Sequence, residues 1–178
     1  VRSFRDEIKR NTGEFKDDSR YFYNLEYAPY KTADSTFLGN QQWKWLEDEL
    51  QKPADIRIIG SGSQFGIEYN GYESWANFPH EQEKLLNLIK KHKTNGVMFV
   101  TGDVHYAEIS KLESPNLYPI YDVTSSGLSS NWHFATPNSN RIEGPIMKNH
   151  FGLITIDWAA TIPEIKMEVW DINDNQRI

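Results

Sequence analysis

The run Val97-Met98-Phe99-Val100 constrains the fold more than any other stretch of this chain. It is apolar, too short for a core helix, and bounded by Gly96 on one side and Thr101-Gly102 on the other. Such a run predicts a strand buried on both faces. The segments before it fit that reading. "FLGNQQWKWLEDELQ" places Leu38, Trp43, Leu46 and Leu50 near helical spacing, with Gly39 or Asn40 to start the helix and Pro53 to end it. Ile56, Ile58 and Ile59 then read as a strand that stops at Gly60-Ser61-Gly62. "PHEQEKLLNLIKKH" reads as a second helix. Pro79 stands in its first turn, Glu81 and Glu83 early, and Lys90 and Lys91 late, complementing the helix dipole. Helix, strand, helix, strand predicts an α/β layer. Further strands are expected at Tyr106–Leu112, Tyr118–Thr124, Gly152–Asp157 and Ile165–Trp170. Loops are expected at 62–78 and Ser125–Lys148. The polar, Tyr-rich stretch 7–35 reads as a long loop or insertion.

Composition narrows the function. The chain has 178 residues, enough for a single domain with a core, and 13% aromatics argue against disorder. A net charge of −6 without a basic block disfavours a nucleic-acid partner, whose affinity rests on Lys and Arg. No apolar run approaches the roughly 20 residues of a membrane-spanning helix. There is no cysteine, so a metal here would have only oxygen and nitrogen ligands.

The buried strand runs into Gly102-Asp103-Val104-His105. In α/β sheets ligands bind beyond the carboxyl ends of strands. If the chain stayed extended, Asp103 and His105 would point to the same side. A carboxylate and an imidazole together suit Zn, Mn or Fe. The competing reading is a turn aspartate followed by a partly exposed histidine.

Several stretches, in order, resemble the C-terminal half of the alkaline phosphatase D (PhoD-like) family of calcineurin-like metallophosphoesterases. They are "VRSFRD", "FLGNQQWKWLEDEL", "ESWANFPHEQEKLLNLI", "FVTGDVHYAEIS", "YPIYDVTSSGLSSNW" and "NHFGLITIDW". The resemblance covers nearly the whole chain apart from 7–35. It implies an α/β fold with a mixed sheet, the C-terminal half of a four-layer αββα sandwich, and one partial domain over 1–178. It implies metal-dependent hydrolysis of phosphoric esters. Asp103 and His105 would be metal ligands and catalytic residues, at the counterpart of a Gly-His-X-His motif with Asp for the first His. Arg2 and Gln64 would face the substrate phosphate. The metals would form a dinuclear or larger centre, Fe and Ca by resemblance, with Zn or Mn as other choices; the family's iron-site cysteine has no counterpart here. An extracytoplasmic location is also implied.

The family's upstream ligand motifs are not found in residues 1–37, so the chain is expected to be a fragment whose missing partner is the N-terminal half of the same protein. Alone it would be inactive or nearly so, and would expose a sheet edge and apolar surface. The alternative is a non-catalytic binding or scaffold module with a decayed fold. A third reading uses Trp75 and Trp132 as stacking platforms for carbohydrate, and requires both rings exposed on one face. Among the remaining residues, Ser125, Ser126 and Asn131 are candidates to line the cleft, His80 and His92 read as surface residues, and His133 and His150 have no assigned role. Trp43, Trp45, Trp158 and Trp170 are expected in packing.

Overall fold

The computed structural model describes residues 35–68, 72–173 and 176–178. The stretch 7–34 of the expected insertion, and Arg2, lie outside the described residues.

Helix α1 (Asn40–Leu50) begins behind Gly39, whose φ of 76° suits glycine, and buries Trp43, Leu46 and Leu50. Helix α2 (Pro79–His92) has the predicted bounds. It buries Glu81, Leu85, Leu88 and Ile89, the i, i+4, i+7, i+8 stripe of an amphipathic helix. It ends at Lys93 in the left-handed region, with the Lys93 N–H donated to Ile89 and Lys90 carbonyls. Gly96 follows with φ 65°, and a Cβ there would lie 2.0 Å from the Asp55 carbonyl oxygen. Only glycine lets the entries to the first two strands approach so closely.

Strands β1 (Arg57–Ser61), β2 (Val97–Thr101) and β4 (Ile120–Ser125) run parallel. Strand β3 (Ala107–Leu112) is antiparallel to β4 and to β5 (Arg141–Ile146). The sheet order is β1-β2-β4-β3-β5, with β1 and β5 at the edges. Strands β6 (His150–Asp157) and β7 (Glu164–Asp171) form a separate antiparallel pair.

One loop expectation needs correction. The stretch Ser125–Lys148 contains β5, which carries Gly144-Pro145 in its middle. Those two residues hide a strand from a propensity reading. Pro is tolerated here because β5 is an edge strand with register shifts against β3. The stretch 62–78 is irregular except for a single 3-10 turn at Trp75–Asn77.

The core lies between the helices and one face of the larger sheet. Phe65 stacks on Phe99, with ring centroids 3.9 Å apart, and Trp75 meets Phe65 and Trp43 edge-on. Leu85, Ile89 and Ile120 are wholly buried there, each contributing about 1.5–3 kcal/mol of apolar burial. Glu81 joins the layers chemically. Its carboxylate accepts hydrogen bonds from the Thr36 hydroxyl, the Phe37 and Leu38 N–H groups and the Trp43 indole, so it fixes the chain entering α1. Burial pushes its pKa upward, yet those donors outweigh burial and hold it below the ordinary 4.5.

The opposite face of the sheet meets the β6–β7 pair. Val100, Val123 and Ser125 share a crevice with Phe151, Gly152 and Ile154. His150, fully buried, carries this contact. Its Nε2 accepts the Gly127 N–H at 3.2 Å and its Nδ1 lies 2.7 Å from the Lys148 carbonyl. The molecule is therefore a mixed α/β structure with a mixed sheet, as the sequence predicted. Helices cover one face of that sheet and a two-stranded sheet lies against the other.

Candidate functional site

Parallel strands β1, β2 and β4 end side by side, at Ser61, Thr101 and Ser125. The loops that follow meet in one place, the carboxyl-end crevice where α/β sheets bind ligands. The β2 loop carries Asp103 and His105. The chain does not stay extended there: φ is 73° at Asp103 and 59° at His105. The alternation argument for a shared side therefore does not apply, and a left-handed turn presents both residues instead. Two non-glycine residues of positive φ within three positions are costly, about 1–3 kcal/mol each, and such conformations concentrate at functional sites.

The turn is held from the β4 loop. The His105 N–H donates to the Ser126 hydroxyl at 2.9 Å, the Trp132 N–H donates to the His105 carbonyl at 3.0 Å, and the Ser130 hydroxyl lies 3.2 Å from His105 Nδ1. Among the described residues His105 Nε2 has no hydrogen-bond partner. The exposed Asp103 carboxylate likewise makes no hydrogen bond or ion pair among them. A fixed imidazole with an open nitrogen and an uncommitted carboxylate on one turn form a donor set that fits a borderline cation. Among the described residues no third His, Asp or Glu joins them.

Behind the turn lies a buried polar layer that sequence reasoning missed. Asp122 accepts the Phe65 and Gly66 N–H groups at 2.8 and 2.7 Å and the Thr101 hydroxyl at 2.6 Å. Burial pushes its carboxyl upward despite these donors, and the nearby Glu108 adds to that rise. Glu108, wholly buried, is ion-paired with Arg141 and accepts from Gln64 and Asn138 at 2.9 Å. The signal was present: a lone carboxylate inside each of the apolar runs "YPIYDVTS" and "YAEIS".

Gln64 belongs to this layer. It is 0% exposed, and its amide nitrogen is shared between Glu108 and Thr124. Its assignment to the substrate phosphate is corrected accordingly, since the side chain tethers the β1 loop to the sheet and reaches no solvent. Trp75 is also buried, at 2% exposure, donating its indole N–H to Ser61. Carbohydrate stacking on Trp75 and Trp132 is thereby removed. Ser126 anchors the turn, while Asn131 bonds Asn149 at 2.9 Å. His80 meets the Ser35 carbonyl, and His92, expected at the surface, is mostly buried against Glu47. His133 is exposed beside Phe134. Trp43 packs in the core as expected, whereas Trp45 and Trp158 are exposed.

Known proteins resemble this chain over much of its length. Alkaline phosphatase D of Bacillus subtilis (strain 168) is 27% identical over 137 residues, covering 71% of this chain and 21% of that protein. A solved structure described as "Structure of PhoD" aligns with a TM-score of 0.47 at 17% identity, over 75% of this chain and 33% of the other. The chain thus spans about a fifth of the curated relative's length. The family model for PhoD-like phosphatase matches residues 1–151, a span that includes both Asp103 and His105. On that match, the chain belongs to the PhoD-like phosphatase family.

Proposed function

We propose that this chain supplies part of the active site of a metal-dependent phosphoric ester hydrolase. The observation that carries this reading is the strained turn after β2. It fixes the His105 backbone and imidazole from the β4 loop, yet leaves His105 Nε2 and the Asp103 carboxylate uncommitted. Family membership supports a phosphoesterase over other metal chemistry. Asp103 and His105 would hold metal in a dinuclear or larger centre, with Fe and Ca as the expected ions and Zn or Mn as alternatives. Such a centre supplies Lewis acidity and a nucleophilic hydroxide near neutral pH.

The chain's own contribution is positional. Ser126 fixes the His105 backbone and Ser130 orients the imidazole, while the Asp122 and Glu108 layer holds the β1 loop and the start of β5 against the central strands. Arg2 is the phosphate-gripping candidate, suited by its bidentate fork. The remaining ligands would come from the rest of a longer protein acting outside the cytoplasm, and the isolated 178 residues would have little activity.

The test is phosphoester hydrolysis by the full-length protein, before and after chelation and metal return, in wild type and His105→Ala. Activity that is lost on chelation, restored by metal, and reduced at least 100-fold in the variant is expected. Chelator-resistant activity, or a variant as active as wild type, overturns the reading. A non-catalytic module would hydrolyse no phosphoester in any form.

A further inference from the structure

An aromatic wall stands beside the proposed metal ligands, outside the hydrophobic core. The Trp132 ring lies 6.0 Å from the His105 imidazole, inclined at 62°. Tyr72 meets Trp132 edge-on at 5.4 Å, and Phe134 lies 5.0 Å from it. All three rings are half-buried, and none belongs to the hydrophobic core around Phe65 and Phe99. They come from separate loops, Tyr72 from the one after β1 and the other two from the one after β4.

Bracing of His105 does not explain the Trp132 side chain. The brace is its backbone N–H, which any residue except proline would provide. The half-buried indole N–H has no acceptor among the described residues. The ring therefore presents an apolar face and a free donor next to the imidazole.

We propose that Trp132 is a specificity-determining residue that receives the alcohol portion of the phosphoester and favours alcohols bearing a planar ring. The inference rests on the reading of Asp103 and His105 as metal ligands. A phosphoryl group held at that pair would sit beside His105, and the Trp132 ring stands 6.0 Å from that imidazole, backed by Tyr72 and Phe134. A planar ring gains stacking and covers apolar surface there, whereas a methyl or small polyol gains little.

Calorimetric titration of the full-length, metal-loaded protein tests this with phenylphosphonate, methylphosphonate and inorganic phosphate, none of which carries an ester P–O–C linkage for the enzyme to cleave. Wild type is expected to bind phenylphosphonate about tenfold tighter than methylphosphonate. Trp132→Ala is expected to abolish that ratio and Trp132→Phe to keep most of it, with phosphate affinity and metal content unchanged in both. Equal binding of the two phosphonates by wild type, no detectable binding of either, or an unchanged ratio in Trp132→Ala overturns the proposal. Parallel losses for all three ligands with loss of metal would make the ring a structural brace and also overturn it. Failure of the underlying reading is seen separately, as Asp103→Ala protein that keeps its metal and its phosphate affinity.

Discussion

At Asp103 and His105 the backbone is held where glycine would be comfortable. Glycine at such a position relieves part of the cost of about 1–3 kcal/mol, although Asp tolerates the conformation better than most residues. Asp103→Gly is therefore expected to raise the urea midpoint of the 178-residue chain while removing the proposed ligand. A lowered midpoint would show that Asp103 is kept for stability instead. Gly127 is the converse case. A Cβ there would lie 2.3 Å from His150 Cε1, inside the contact that joins β6 to the end of β4. Gly127→Ala is expected to cost about 1–3 kcal/mol as an overpacked contact. In Gly127→Ala/His150→Ala the penalty should be less than the sum of the single losses, because the clash is gone. Additive losses in a thermal-unfolding cycle would contradict that assignment.

Helix α2 shows how far an element can be read from its letters. Its bounds and dipole pattern were legible because Pro79, the early glutamates and the late lysines are local signals. The role of Glu81 was not, since its partners Thr36, Phe37, Leu38 and Trp43 lie about forty positions away. The same division holds elsewhere. Strand β2 and its Asp103–His105 ending were visible as a bounded apolar run, whereas β5 was hidden by Gly144-Pro145. The burial of Gln64 and Trp75 depended on long-range pairing that spacing does not encode. Glu81 also yields a pH dependence. Its folded pKa lies below the ordinary 4.5, so its stabilisation is complete above that value and is lost as pH falls through the folded one. Glu81→Gln is expected to cost about 2 kcal/mol at pH 7, with the difference from wild type narrowing below pH 4.5. A difference that stays constant into acid would refute the carboxylate's role.

Over the whole molecule, the larger sheet is covered unevenly. The outer side of β1 has no partner strand among the described residues, and a groove of about 610 Å³ runs along it, lined by Leu38, Trp45, Ile58 and Ile59. Trp45 and Ile58 are 56% and 48% exposed. An open edge beside apolar side chains promotes association. Ile58→Lys is expected to lower self-association of the isolated chain in sedimentation velocity, and unchanged association would place the contact elsewhere. The proposed site is uneven in the same sense, because two ligands do not close a metal centre. Metal stoichiometry of the full-length protein, wild type against Asp103→Ala, tests that account most directly. The account predicts bound metal in wild type and the loss of at least one equivalent in the variant; an unchanged metal content would contradict it.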